Sequence, residues 1–347
     1  MRRALLPASA LAIAALAACG GGGGGTGGVD GGVDAGPLAP PAVGMQLAST
    51  AITLAPGQQQ YACWSFPLPQ GQPYPIVGLE QQIPPAGVHH YAVFTSSDPA
   101  GSYTPATWGA CQGTNDPNCF DCSQMGAAWG LITGGGVGTP AVQFPSGTSM
   151  TLNLQNPPPQ GQSAVTQVIF QLHLLNATPQ AIDMAPAYVN LVSTTEPASS
   201  FQQVGLLIAG TLDIDIPAGA SNYQVSGGCG GSLTNAGGNS PNMPNIFAVF
   251  PHMHQLGTNI EVTLTPQGST TPNVLVNRAW NFGEQGLYPV TGSANAGDEV
   301  QVTCTYDNTT GSPVSFGLTT QDEMCLGVLF YYPADPTQTS QYCGFGN

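Results

Sequence analysis

Only five histidines occur in the sequence, and their spacing could do chemistry. Two are adjacent, His89-His90. One stands alone at His173. Two are separated by one residue in Phe250-Pro251-His252-Met253-His254-Gln255-Leu256-Gly257. The flanks of that last pair are apolar (Ile246, Phe247, Val249, Ile260, Val262), so the segment reads as a β-strand running into a turn. Side chains two apart on a strand share a face. His252 and His254 therefore project together, and Met253 points away. Two imidazoles side by side are two legs of a metal site. Adjacent His89 and His90 would point to opposite faces of a regular strand. Both can reach one ion only if the chain bulges or turns there, which Ala86-Gly87 just before them makes feasible.

Helical periodicity is almost absent after residue 18. Short runs rich in apolar, aromatic and β-branched residues take its place: Gln60–Phe66, His90–Thr95, Val165–Leu175, Ala187–Val192, Gly205–Ile214, Asn245–Phe250, Asn259–Thr265, Glu299–Tyr306 and Cys325–Tyr332. The sequence holds 47 glycines and 32 prolines, and those outside the N-terminal segment lie mostly between these runs. Many short strands without helices predict an all-β chain of antiparallel sandwiches. The stretch Thr194–Phe201 is mostly polar, contains Pro197 and lacks strand alternation. A domain boundary is placed there, dividing 42–197 from 198–347.

That boundary leaves three histidines in the first half and two in the second, so a metal site in the second half needs another ligand. Met324, in Asp322-Glu323-Met324-Cys325, is the candidate. A thioether suits Cu(I) and not hard cations. His/His/His in one half and His/His/Met in the other point to copper rather than zinc or iron.

The N-terminus reads as an export signal. Met1-Arg2-Arg3 precedes a mostly apolar run, Ala4–Ala18, too short for a comfortable membrane span. Leu16-Ala17-Ala18-Cys19 is similar to the lipobox of bacterial lipoproteins, which implies cleavage before Cys19 and acylation of its thiol. Residues 19–41, with six glycines in a row, form a tether that cannot bury enough apolar surface to fold. As a flexible coil it spans on the order of 25 Å. The expected address is an exported, outer-membrane-anchored lipoprotein, periplasmic or cell-surface, touching the membrane only through the lipid on Cys19. The formal charge is −15, and it becomes −17 once Arg2 and Arg3 are removed, with Arg278 then the sole basic residue. One arginine makes no basic patch to neutralise phosphates, so nucleic acid is not an expected partner. A monomer is expected.

Setting Cys19 aside, eight cysteines remain: Cys63, Cys111, Cys119, Cys122, Cys229, Cys304, Cys325 and Cys343. An even number in an exported chain reads as four disulfides, whose connectivity sequence alone does not fix. Cys119-x-x-Cys122 follows a turn-like stretch and has no second CxxC, so a structural disulfide role is favoured over zinc or redox chemistry.

Over roughly residues 45–345 the chain resembles the copper type II, ascorbate-dependent monooxygenases, the family of peptidylglycine α-hydroxylating and dopamine β-monooxygenases. The resemblance rests on His89-His90, on Gln171-Leu172-His173, on His252-Met253-His254-Gln255-Leu256-Gly257, and on Glu323-Met324-Cys325. It implies two tandem antiparallel jelly-roll-like β-sandwich domains facing each other across a copper cleft, with two coppers per chain. His89, His90 and His173 would hold the electron-transfer copper. His252, His254 and Met324 would hold the catalytic copper that meets O₂ and the substrate. Tyr61 and Gln171 match cleft-lining, cofactor-binding positions. The resemblance further implies bridges Cys63–Cys111, Cys229–Cys343 and Cys304–Cys325. Cys119 and Cys122 depart from that pattern, leaving open a bond between the two.

The implied reaction is hydroxylation of a C–H bond of a small organic substrate, with O₂ and two electrons from ascorbate or another one-electron donor. Peptide-amidating members carry an arginine where this chain has Phe250, and Asn and Tyr where it has Leu326 and Val328. A peptide carboxylate therefore finds no cationic anchor at these positions. A neutral or apolar substrate, or a cationic amine drawn by the acidic surface, fits better. The alternative is a copper-binding or electron-transfer lipoprotein without hydroxylase activity. A disulfide-stapled binding sandwich ranks third.

Overall fold

Each of the nine apolar runs lies on a strand in the computed structural model, which describes residues 37–124, 126–155, 158, 160, 163–230, 240–337 and 339–345. The chain divides into two units, Met1–Gly36 and Pro37–Asn347. The export segment, Cys19 and the tether as far as Gly36 lie outside the described residues. Among the described residues, helix is confined to Pro105–Trp108 and a 3₁₀ turn at Ala198–Ser200.

Four principal sheets carry the fold. Sheet I orders Gly44–Ala48, Tyr188–Ser193, Tyr74–Gln82, Thr148–Leu152 and Gln202–Gln203, with Val142–Gln143 also on Tyr74–Gln82. Sheet II orders Cys119–Asp121, Gln59–Pro67, Gln167–Leu175, Val88–Ser96 and Trp129–Gly135. Sheet III orders Tyr288–Ala294, Met243–His252, Cys325–Tyr332, Gly205–Thr211 and Ser340–Cys343. Sheet IV orders Tyr223–Cys229, Glu299–Tyr306, Gly257–Thr265 and Asn273–Ala279. The chain is thus all-β, as its composition predicts. Its small sheets follow one another in a four-bladed, propeller-like arrangement, coarser than the two jelly rolls expected. Among the described strands of these four sheets, pairing is antiparallel except where Gln202–Gln203 joins Thr148–Leu152 and where Gly205–Thr211 joins Ser340–Cys343.

Sheet III is buried on both faces, and strand alternation divides its residues between two cores. Leu206, Ile208, Val328 and Phe330 join the core filled by sheets I and II. Leu207, Ala209, Leu329 and Tyr331 join the core shared with sheet IV. In Met243–His252 a bulge between Ile246 and Ala248 shifts the register. Ile246 therefore faces the second core, whereas Ala248 and Phe250 face the first, although all three lie at even spacing. The same bulge sets the face on which His252 emerges.

Four disulfides close the described unit, and two of them correct the expectation. Cys229–Cys343 and Cys304–Cys325 are formed as the resemblance implies. The remaining bonds are Cys63–Cys122 and Cys111–Cys119, not Cys63–Cys111, and the bond between Cys119 and Cys122 is not made. The reason lies in the strand Cys119–Asp121. Residues three apart along an extended chain are about 10 Å apart and face opposite ways, beyond the roughly 7 Å that a disulfide can span. Cys119 accordingly packs with Cys111 in the main core, while Cys122 packs with Cys63 in a small aromatic cluster on the other side.

Candidate metal centre

His90 and His173 face each other on neighbouring strands of sheet II. The register then jumps, because Leu174 pairs with Val88 and leaves His89 as the extra residue of a β-bulge. Gly87, at φ +83°, turns the chain into it. The bulge cancels the alternation that would have sent His89 to the far face. All three rings are buried, and their ligand atoms lie within 4.8 Å of one another. The Nδ1 atom of His89 sits 3.2 Å from Nδ1 of His173 and 3.1 Å from Nδ1 of His90. Nitrogens bound at about 2.0–2.1 Å to one ion at tetrahedral to trigonal angles lie roughly 3.3–3.6 Å apart. The two Nδ1 distances from His89 are already near that spacing.

His252 ends its strand, and His254 lies two residues on, with ring centroids 5.3 Å apart. Both line one cavity together with Met324, while Met253 is fully buried in the second core. Gly257 has a steric reason: a Cβ there would lie 2.7 Å from Met253 and 2.7 Å from Trp280. His254 Nδ1 donates to the Asp322 carbonyl at 3.0 Å, which leaves the lone pair on Nε2. That Nε2 is buried without a hydrogen-bond partner. Buried polar atoms seldom go unpartnered, and an imidazole lone pair aimed beside a second imidazole and a thioether suits a soft metal ion.

Glu323 holds the turn in shape. Its carboxylate accepts the backbone N–H of His254 at 2.9 Å, of Leu256 at 2.6 Å and of Met324 at 3.3 Å. Burial pushes its carboxyl up to about 7, against the downward pull of those three donors. Cys325 is bonded to Cys304, which pins the residue beside Met324.

The two histidine sets touch. The rings of His90 and His252 have centroids 5.1 Å apart. Gln285, buried, bridges the sets: its Oε1 lies 2.7 Å from His252 Nδ1 and its Nε2 lies 2.7 Å from His89 Nε2. The Gln285 carbonyl accepts from Gly136 N–H at 2.6 Å and Thr139 O–H at 2.8 Å, locking its loop to the turn after Trp129–Gly135. Phe282 in the same loop stacks on His89, centroids 3.5 Å apart. Gln59 sits 2.9 Å from His173 Nε2 and accepts from Thr320 O–H. All five imidazoles are pushed towards the neutral form, first by burial. For His89, His90, His173 and His252 the neighbouring imidazoles add to it. His89 falls to about 2, and His173 and His252 to about 3. Neutral rings are the form that binds metal.

Tyr61 and Gln171 both line the cavity. Tyr61 stacks on His173 with centroids 4.2 Å apart, and its hydroxyl donates to the Leu318 carbonyl. The pairing in sheet III sets His252 opposite Leu326 and Phe250 opposite Val328. The three positions that depart from the peptide-amidating pattern are therefore immediate neighbours of His252. Arg278 does not line the cavity; its guanidinium packs over Tyr288, 3.9 Å from the ring centroid. Sequence reasoning did not identify Gln285, Phe282 or Gln59, which have no ligand chemistry of their own.

Residues 202–345 match the family profile described as copper type II ascorbate-dependent monooxygenase, C-terminal domain. The chain is 25% identical over 293 residues to dopamine beta-hydroxylase of Canis lupus familiaris, covering 81% of this chain and 44% of that protein. It is 27% identical over 286 residues to the putative DBH-like monooxygenase protein 2 of Homo sapiens, covering 79% and 53%. It is 25% identical over 282 residues to tyramine beta-hydroxylase of Caenorhabditis briggsae, covering 76% and 43%. The chain thus spans about half the length of these relatives, or less. Its likeness to solved structures, such as allantoicase at TM-score 0.17 and 9% identity over 78% of each chain, is too slight to bear on the fold. The profile match in the second half, and relatives whose similarity extends across both histidine sets, support a relationship to the copper type II, ascorbate-dependent monooxygenase family.

Proposed function

We propose that this chain is a copper-dependent monooxygenase that hydroxylates a C–H bond of a small organic substrate. The reaction balances as RH + O₂ + 2 e⁻ + 2 H⁺ → ROH + H₂O, with ascorbate or a similar donor supplying the electrons one at a time. His89, His90 and His173, through Nδ1, would hold one copper. His254 through Nε2, His252 and the Met324 sulfur would hold the other. Bound copper supplies one-electron storage and O₂ activation. The chain's own residues supply the rest. Gln285 and the Asp322 carbonyl orient rings, Glu323 fixes the turn, and the apolar walls around His252 exclude water. We assign the first site to 42–197 and the second to 198–347, each a jelly-roll-like sandwich. The four disulfides support folding in an oxidising compartment, in keeping with export and anchoring at Cys19.

The observation that carries this reading is the unpartnered, buried Nε2 of His254 in a cavity shared with His252 and Met324. The test counts copper per chain in wild type, His173→Ala and Met324→Leu, and follows oxygen uptake with ascorbate on the same samples. Two coppers in wild type, one site weakened by each substitution, and uptake stimulated by a substrate are expected. Dopamine and tyramine, the amines in the relatives' names, belong on that panel beside neutral compounds. Two coppers without stimulated uptake across the panel would point to a copper carrier, and no tight copper would refute both readings.

A further inference from the structure

The cavity beside His252, His254 and Met324 has a volume of about 360 Å³. Its walls include Leu131, Ile208, Phe250, Phe316, Leu326 and Val328, and none of the described residues lining it is Asp, Glu, Lys or Arg. The nearby acids are already occupied. Asp322 accepts from Thr319 N–H and O–H, Glu323 holds three backbone N–H groups, and Asp121 accepts from Ser123 N–H. The mouth is apolar as well. Of the four large hydrophobic residues that are exposed among those described, Leu212 (41%) and Tyr342 (56%) both line this cavity. On a chain of formal charge −15, an entrance without charge is a selective feature.

Building on the proposed function, we propose that this cavity takes an uncharged, apolar substrate about two six-membered rings in size, and rejects primary amines and carboxylates. The size follows from volume, since an apolar cavity of about 150 Å³ holds one benzene. The charge preference follows from desolvation. A buried ammonium needs a counter-charge or several acceptors, and these walls supply no counter-charge. The acidic outer surface can gather amines nearby without paying their desolvation inside. A hydrophobic pocket rejects an added hydroxyl by only about 100-fold, and a bare ammonium should fare worse.

The test uses three naphthyl probes of similar size on the full chain, copper-loaded and copper-free: 2-propylnaphthalene, 2-(2-naphthyl)ethylamine and 2-naphthylacetic acid. Their intrinsic fluorescence reads binding in both forms. The neutral probe should bind at least 100-fold more tightly than either ion. Leu326→Trp, which fills the cavity, should weaken it by tenfold or more. Leu326→Asp should shift preference towards the amine by at least tenfold, with Leu326→Asn as the uncharged control. An amine bound within threefold of the neutral probe by wild type would overturn the proposal, as would neutral binding indifferent to Leu326→Trp. Failure to bind copper would sink the proposed function alone, because binding is also read on the copper-free chain. Amine preference in a chain that carries two coppers would sink only the substrate class.

Discussion

Replacing Glu323 isolates what one buried carboxylate does for the second histidine set. Its two oxygens receive three backbone N–H donors, His254 and Met324 on Oε2 and Leu256 on Oε1, and the side chain is fully buried. Glu323→Ala leaves all three donors without their acceptor in a site that water reaches poorly. Each stranded donor costs about 1–3 kcal/mol. Because the turn can relax and share the loss, the expected total is about 3–6 kcal/mol. Glu323→Gln keeps one oxygen for the His254 and Met324 pair but turns an NH₂ against Leu256 N–H, so about 1–3 kcal/mol is expected. Urea unfolding of the copper-free chain, with disulfides intact and tryptophan fluorescence as readout, measures both. The same variants should weaken copper at the His252/His254/Met324 set by about 10–100-fold, as loss of a supporting residue does elsewhere, and leave the His89/His90/His173 set unchanged. A loss below 1 kcal/mol for Ala with copper affinity intact would refute the reasoning, since something else would then hold the turn.

Gln285 offers one acceptor oxygen to two rings. When His252 and His89 both ligate through their outward nitrogens, both inward N–H groups need an acceptor, and an amide serves only one. Gln285→Glu should therefore raise Cu(I) affinity at the unserved set by about tenfold, and Gln285→Leu should lower affinity by about 10–100-fold; chelator competition reads both, and an unchanged Glu variant would contradict the bridge. Digestion without reduction followed by mass spectrometry should find Cys63 joined to Cys122 and Cys111 to Cys119, and a bond between Cys119 and Cys122 would refute the strand geometry. Gly227→Ala should cost at least about 2 kcal/mol in urea unfolding, because its Cβ would lie 2.3 Å from the Gly210 carbonyl oxygen; a neutral result would mean that sheets III and IV are not so closely applied.

What the sequence disclosed depended on how residue chemistry maps to position. Dense β-branched and aromatic runs such as Glu299–Tyr306 and Cys325–Tyr332 appear as strands with those bounds. The need for a bulge at His89-His90 was legible because alternation forbids two adjacent ligands. Strands such as Trp129–Gly135 and Tyr223–Cys229 escaped notice because their glycines look like turns. In Tyr223–Cys229 those glycines instead let two backbones approach, as the Gly227–Gly210 contact requires. The disulfide partners of Cys119 and Cys122 depend on which face each presents, which spacing does not encode. Gln285 and Phe282 acquire meaning only when their loop reaches across to His89, a contact between residues 196 and 193 positions apart.

Sheet III gives one face to each core, and this bears on how such a chain can be inherited. Residues 202–345 alone match the family profile, yet Leu206, Ile208, Phe250, Val328 and Phe330 in that span complete the core of the preceding residues. A gene fragment encoding only the second half would present this row of side chains to water. Duplication or exchange of that half by recombination is therefore penalised unless a matching first half travels with it. The two halves are thus expected to be inherited together, and a substitution in sheet III has to satisfy two interiors at once.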